Sequence, residues 1–331
     1  VIKNKRSETE ILLNYIADGR FHSGKLLAEL LNVSMTAVWK QMKKLEQFGL
    51  GVQAVRGKGY RLSQPLQLLQ AENIWPRISD EKRDGIENME IFFETDSTNK
   101  HLMKRLQTED IHRNIVLAEF QTAGKGRRGK QWVSPLASGI CMSIGWHFDP
   151  RPEALTALSL AYGVIVVRAM KAMGYKSIKL KWPNDIVHND RKLGGILIES
   201  RAETAGPCDV VIGMGLNIDL SKRVIGSIDQ ATVTDLATIS SNQATRNTIA
   251  GTLIEESLSG IEEVSNNGYS AFIDEWRSHD SLYGKQVNLI LPNSSYIGKA
   301  KGVNNNGMLT MLINGKTKLF ASGETTLRVL N

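Results

Sequence analysis

The chain has 331 residues, 41% of them hydrophobic and 23% charged, with 8 prolines and 29 glycines. That length predicts two or three domains with real cores and excludes disordered, collagen-like and low-complexity classes. No apolar run approaches the roughly 18 residues of a membrane span. Residues 1–10 are charged and hold no apolar signal core, so a cytoplasmic protein with no membrane partner is expected. Cys141 and Cys208 form no CxxC pair and the six histidines no HExxH spacing, which reads against a disulfide scaffold or a structural zinc. The net charge of +7 is concentrated at one end: residues 1–65 hold 11 Lys/Arg against 5 Asp/Glu, and the remainder 30 against 29. Cations gathered on a small module are what phosphate-backbone binding requires.

The pattern within that module predicts three helices. The first is carried by Ile11, Leu12, Leu13, Tyr15 and Ile16 and stops at Asp18-Gly19. Ser23 caps a second, in which Leu26, Leu27, Leu30 and Leu31 are expected to point inward. Ser34 caps a third, running to about Phe48 with Gly49 as its stop. Val38, Met42 and Leu45 form its inner face, while Thr36, Lys40, Lys43 and Lys44 lie outside it. Short strands at 52–55 and 60–62 flank Arg56-Gly57-Lys58-Gly59, a glycine turn with two cations at its tip. This is the pattern of a winged helix-turn-helix, with Ser23, Ser34, Thr36, Lys40, Lys43, Lys44, Arg56 and Lys58 as candidate DNA contacts. The competing reading is a packing module with solvated lysines.

Residues 63–85 read as a connector, helical around 66–73. Beyond it, strands are expected at 89–93, 115–120, 140–147, 178–182, 193–199 and 210–218, and helices at 155–173 and 246–264, which is an α+β pattern. Within it, Gln121-Thr-Ala-Gly124-Lys125-Gly126-Arg127-Arg128-Gly129-Lys130 places four cations and three glycines on one loop, suited to a polyanion such as a triphosphate. Its Gly124-x4-Gly129-Lys130 spacing approaches a P-loop. Gln131 stands where a Mg²⁺-holding Ser/Thr belongs, however, and no helix opens there, so the P-loop is rejected. A second constellation, Lys181-Trp-Pro-Asn184-Asp185 and Arg191-Lys192-Leu-Gly-Gly195, folds through an Asn189-Asp190 turn that brings Asp185 near Lys192. A third, Asp96-Ser97-Thr98-Asn99, offers hydroxyls and an amide to a small polar ligand or simply caps a helix.

Together with Gly213-Met-Gly-Leu-Asn217, these segments resemble the motifs of the biotin protein ligase family, and the DNA-binding front end resembles its bifunctional form, which also represses the biotin operon. The resemblance implies a central catalytic α/β domain like that of the class II synthetases and, over the strand-like runs at 286–291, 296–303, 308–313, 316–321 and 325–330, an SH3-like C-terminal β-barrel. The expected division is 1–64 winged helix-turn-helix, 65–85 linker, 86–278 catalytic domain and 279–331 C-terminal domain. The implied reaction joins biotin to ATP with Mg²⁺, giving biotinyl-5′-AMP, and then biotinylates a lysine of the biotin carboxyl carrier protein of acetyl-CoA carboxylase. The adenylate is also the implied corepressor, favouring a homodimer on operator DNA.

By the same resemblance Lys192, Arg127 and Asp185 are catalytic, with Asp185 a candidate Mg²⁺ ligand. Biotin falls to Ser97, Thr98, Asn99, Gln121, Gly124, Lys125, Gly126, Arg127, Lys192, Gly195, Leu197 and Gly213. The nucleotide falls to Lys125, Arg127, Arg128, Lys181, Asn184 and Asn217. Two departures stand out: Lys125 sits where the family often has Arg, and the segment 225–233, expected to cover adenine, has no aromatic residue. The alternatives are a biotin-sensing DNA-binding regulator with little ligase activity and a ligase with a vestigial DNA-binding module. Lipoate ligase, a related option, lacks its characteristic motif here.

Overall fold

The computed structural model describes residues 7–149, 155–202, 207–220, 232–240, 244–323 and 325–330. The N-terminal module is three helices and a hairpin. Helices α1 (Glu8–Ile16), α2 (Gly24–Leu31) and α3 (Met35–Gln47) each begin on a serine whose hydroxyl accepts from a backbone N–H one turn on: Ser7 from Glu10, Ser23 from Leu26 and Ser34 from Ala37. Leu12, Leu13, Ile16, Leu27, Val38, Met42 and Leu45 form the core. Leu26 and Leu30, expected inside, are 42% and 40% exposed. The four leucines of α2 make two stripes, and a module this small has core on one side only.

Strands β1 (Val52–Val55) and β2 (Gly59–Leu62) pair antiparallel across the glycine turn. Tyr60 exchanges backbone hydrogen bonds of 2.8 and 2.9 Å with His22, which ties the wing to the start of α2. A Cβ at Gly59 would collide with the His22 carbonyl, so glycine is required there.

The connector is helical later than expected, at α4 (Ala71–Ile74) and α5 (Asp80–Asp84), because residues 66–70 spend their backbone groups elsewhere. Leu66 N–H donates to the Ala17 carbonyl at 2.8 Å. The Gln67 and Leu68 carbonyls accept from the Arg246 guanidinium (2.6 Å) and the Asn247 amide (3.0 Å), and Leu69 N–H donates to Glu119.

A seven-stranded sheet follows, from β3 (Asn88–Thr95), β4 (Asn114–Gln121), β5 (Gly139–Phe148), β6 (Lys179–Lys181), β7 (Asp185–His188), β8 (Arg191–Ala202) and β9 (Cys208–Asn217). Its order is β3-β4-β5-β9-β8-β7-β6, with only the β3–β4 pair parallel. Helix α6 (Thr98–Arg105) buries Leu102 on one face, against Val116 and Val211. The other face is covered by α7 (Leu155–Ala172) and α9 (Arg246–Asn267), with the short α8 (Leu236–Ile239) before the latter and α10 (Ser270–His279) after it. Leu158, Tyr162, Ile165 and Ala169 form the expected buried stripe of α7. Helix α10, built on Phe272, Ile273 and Trp276, escaped the sequence reading.

The C-terminal strands β10 (Gln286–Leu291), β11 (Ser294–Val303), β12 (Leu309–Ile313), β13 (Lys316–Phe320) and β14 (Thr326–Val329) form a second sheet in the order β13-β12-β11-β10-β14. Its Val287, Leu289, Ala300, Val303, Leu309 and Met311 join the main core. The Trp182 indole donates to the Gly307 carbonyl at 3.0 Å, and Ser281 N–H to the Leu180 carbonyl at 2.9 Å, so the second sheet is seated beside β6.

Asp280 lies at that seam, with one carboxylate oxygen accepting from Leu282 N–H at 2.8 Å and the other buried without a partner. Burial raises its pKa from 3.8 to about 6, against the lowering pull of backbone N–H groups and lysines. A folded-state pKa above the unfolded value gives stability that is full below about pH 3.8 and is lost as pH rises through about 6. Asp280→Asn is therefore expected to raise stability at pH 7 by about 1–3 kcal/mol and to flatten this pH dependence. Urea midpoints at pH 4, 5, 6 and 7 check it, and an unchanged pH profile would count against the assignment.

No described helix is long and apolar enough to cross a membrane, and Cys141 and Cys208 are buried and share no disulfide.

Candidate ligand pocket

A pocket of about 430 Å³ opens where the C-terminal ends of β3 and β4 meet the Lys181–Gly195 hairpin and the 125–132 loop. Its floor is buried and polar. Ser97 caps α6 by accepting from Lys100 N–H, so the helix-cap reading of this motif holds alongside its place in the pocket. Thr98 N–H donates to the Gln121 side-chain carbonyl at 2.9 Å, and Ser143 Oγ lies 2.7 Å from Thr98 Oγ1 and 2.6 Å from Asn99 Oδ1. The Asn99 amide donates to Glu199 (2.8 Å) and to the Leu197 carbonyl (3.2 Å). Asn99 sits flush on β9, where a Cβ at Gly213 would overlap its amide oxygen. Gly213→Ala is accordingly expected to displace Asn99 and to weaken binding of the floor's ligand at least about tenfold. Calorimetry with biotin, the ligand the sequence resemblance implies for this floor, tests this, and wild-type affinity would count against a role for Asn99 in binding.

The rim is cationic: Lys125, Arg127, Arg128, Lys130, Lys181 and Lys192 all line the pocket, with Asp185 among them. The predicted hairpin forms, pairing Asp185 with Gly195 and Val187 with Lys192, and Lys192 Nζ lies 2.5 Å from Asp185 Oδ1. Lys192 also stands 5.8 Å from the centre of the Trp132 ring, and its backbone is held by the Thr232 carbonyl (2.7 Å) and Thr234 N–H (2.9 Å). Asn184 donates to the Ile196 carbonyl at 2.6 Å. The glycine loop closes on itself, with Gly126 N–H on the Lys130 carbonyl (2.7 Å) and Trp132 N–H on the Gly124 carbonyl (2.9 Å). Arg128 adopts φ 60°, a left-handed conformation uncommon outside glycine, and donates to Thr326 Oγ1 at 2.6 Å.

Arg127 faces across the pocket, donating to the Ser322 and Gly323 carbonyls, the latter at 2.8 Å. Burial lowers its pKa, with Asp185 opposing the shift. A guanidinium stays charged under such a perturbation, so the rim keeps this positive group.

Most predicted site residues thus converge. Ser97, Thr98, Asn99, Gln121, Gly126, Gly195, Leu197, Gly213 and Asn184 line the pocket with the rim cations. Two stand off it. Gly124 is packed under Trp132 and Gln121, where a Cβ would meet the Trp132 carbonyl at 2.6 Å. Asn217 is buried and donates to the Thr234 carbonyl at 3.0 Å. The sequence reading missed Ser143, a lone hydroxyl in an apolar strand, which is a legible signal. It also missed Trp132 and the C-terminal Thr325, Thr326, Leu327 and Arg328, all on the pocket wall, the last four with no local signal. Of the expected adenine cover, 225–231 lie outside the described residues, while Thr232 lines the pocket and Val233 bridges to Lys192.

In the N-terminal module Thr36, Lys40, Lys44, Arg56 and Lys58 are exposed, and Lys43 is paired with Glu46 at 2.8 Å. The Ser23 and Ser34 hydroxyls are already engaged as caps. Trp39, half exposed among these cations on α3, went unremarked in the sequence reading.

The Biotin/lipoate A/B protein ligase family matches residues 92–217, and an HTH domain family matches residues 7–61. The chain is 34% identical to the bifunctional ligase/repressor BirA of Salmonella typhimurium and 33% identical to that of Escherichia coli, each over 96% of both chains. Among solved structures, a biotin protein ligase from Aquifex aeolicus in complex with biotin and ATP superposes with a TM-score of 0.62 at 23% identity, over 74% of this chain and all of that one. At that identity the likeness is one of fold.

Proposed function

The chain belongs to the biotin protein ligase family, beside the bifunctional ligase/repressor BirA proteins, and we propose that it condenses biotin with ATP and passes the biotinyl group to a lysine of a biotin carboxyl carrier protein. The observation that carries this reading is one cavity with two characters, a buried hydrogen-bonding floor and a cationic rim to which Lys125, Arg127, Arg128, Lys130, Lys181, Lys192 and Arg328 contribute. The floor suits the ureido head of biotin and the rim suits a triphosphate.

In the first step a carboxylate oxygen of biotin attacks the α-phosphorus of ATP and pyrophosphate leaves. In the second, the carrier lysine's neutral amine attacks the anhydride carbonyl, forming the amide, losing a proton and releasing AMP. The first step brings two anions together, so the chain's task is to hold them close and offset their repulsion with fixed charge. We assign Ser97, Thr98, Asn99, Gln121, Gly195, Leu197 and Gly213 to biotin and Lys125, Arg127, Arg128, Lys181 and Asn184 to the phosphates. Lys192 stands at the join. We assign Asp185, held against Lys192, to take the amine's proton.

The described residues do not build a resident Mg²⁺ site. Among the described residues Asp185 is the one carboxylate on the wall, where it is engaged by Lys192, and no group of three metal-binding side chains occurs. Magnesium therefore enters this reading as part of the MgATP substrate.

Purified protein with biotin, MgATP and a carrier domain is expected to yield biotinylated carrier; failure to modify it would refute the reading. Arg127→Gly, which removes the arm reaching Ser322 and Gly323, is expected to release biotinyl-5′-AMP into solution, detectable as biotinylation of unrelated lysines. Retention equal to wild type would remove Arg127 from the site.

The exposed cations of α3 and the wing support operator binding by the N-terminal module, with biotinyl-5′-AMP as corepressor and a homodimer as the bound form. We retain the division at 1–64, 65–85, 86–278 and 279–331, the class II synthetase-like core, an SH3-like curl of the C-terminal sheet and a cytoplasmic location as parts of this proposal.

A further inference from the structure

Phe48 closes the recognition helix α3, and its ring is seated edge-on against two phenylalanines of the central sheet: Phe93 of β3, with centroids 6.0 Å apart at 86°, and Phe120 of β4, 5.3 Å apart at 78°. Those two strands run parallel, and just beyond the seat each delivers a wall of the pocket. β3 turns through Asp96 into Ser97, Thr98 and Asn99, and β4 ends at Gln121. Their ends are bound together by Thr122 N–H on the Thr95 carbonyl and Ala123 N–H on the Asp96 carbonyl, both 2.9 Å, and by Gln121 against Thr98.

Three successive residues of β4 therefore do three things. Glu119 holds the connector through Leu69 and Arg246, Phe120 carries the DNA-binding module, and Gln121 lines the pocket. Beside the seat the seam is part packed and part open. A cavity of about 800 Å³ lies beside it, lined by Leu50 and Pro65 on one side and by Ser138 and Leu220 on the other, while Leu62 and Leu136 share the buried cluster that the seat packs against. The aromatic contact is the part of this seam that touches β3 and β4 directly.

We infer that the Phe48–Phe93–Phe120 seat is a positioning element for the biotin end of the pocket. With Phe48 in place, the ends of β3 and β4 hold Ser97–Asn99 and Gln121 in register; without it they relax, and the cationic rim is unaffected. Binding linkage requires the converse, that biotin tightens the seating of α3. The inference rests on the assignment of the floor to biotin.

The test uses the full chain as wild type, Phe48→Ala, Phe48→Trp and Phe120→Leu. Biotin affinity is measured by calorimetry, and KM and kcat by carrier biotinylation. Phe48→Ala and Phe120→Leu are expected to weaken biotin binding about tenfold and raise its KM in step, a change of about 1.4 kcal/mol. They leave kcat and the KM for ATP within about twofold of wild type, and Phe48→Trp, which keeps an aromatic ring, restores biotin affinity. Wild-type biotin affinity in both variants, or equal losses for biotin and ATP, overturns the inference. Should Phe48→Ala fail to fold, Phe120→Leu decides, since it leaves the recognition helix intact. Failure of wild type to modify the carrier would count against the proposed reaction, while the biotin affinities still decide the role of the seat.

Discussion

Lys192→Ala is expected to slow adenylate formation by about 10²–10³-fold or more. The ammonium stands 2.5 Å from Asp185, beside Trp132, at the point where the polar floor gives way to the cationic rim. On the proposed assignment the biotin carboxylate approaches a phosphate there, and a cation fixed between two anions stabilises the transition state more than either reactant alone. The position is set before ligand arrives, because the Lys192 backbone is clamped on both sides by Thr232 and Thr234. Removing the charge also leaves Asp185 facing the incoming phosphate uncompensated, which adds repulsion to the lost attraction. Lys192→Arg keeps the charge but spreads it over a planar fork, so partial activity is expected from it. Single-turnover pyrophosphate release measures the effect, and a rate near wild type for Lys192→Ala would remove this residue from the chemistry.

Arg246→Met carries the largest expected cost in stability, about 3–5 kcal/mol. Arg246 and Glu119 are buried to 6% and 4% side-chain exposure, 2.8 Å apart. The guanidinium also donates to the Gly139 carbonyl at 2.7 Å and the Gln67 carbonyl at 2.6 Å, while Glu119 accepts from Leu69 N–H. Every charge is thus answered, and deleting one partner leaves the other buried and unpaired. Glu119→Gln in the same chain should recover part of the loss, because it removes the stranded charge. Urea unfolding of the two variants checks both statements, and a loss under about 1 kcal/mol would mean that water reaches Glu119.

What the sequence disclosed was local. Serine caps, the glycine-tipped wing and the Asn189-Asp190 turn act over a few residues, and each lies where its spacing placed it. The pocket was legible for the same reason, since its floor and rim come from short segments that carry their own turns. The misjudged features depend on what lies across the fold. Leu26 and Leu30 look like core until the module proves to have no second layer to cover them. Thr326 reaches Arg128 across 198 positions, and Arg246 reaches Glu119 across 127, so neither partner marks the other in the chain. The carbonyls of Ser322 and Gly323 that hold Arg127 are backbone groups and leave no trace in residue identity at all.

The central claim is that biotin and a nucleotide meet in the 430 Å³ pocket, carboxylate against α-phosphorus. Incubating the protein with biotin and ATP labelled at the α-phosphate, without carrier, tests it most directly. The account predicts one labelled biotinyl-5′-AMP retained per chain and one pyrophosphate released. Label recovered as ADP, or no pyrophosphate released when biotin is present, would contradict it.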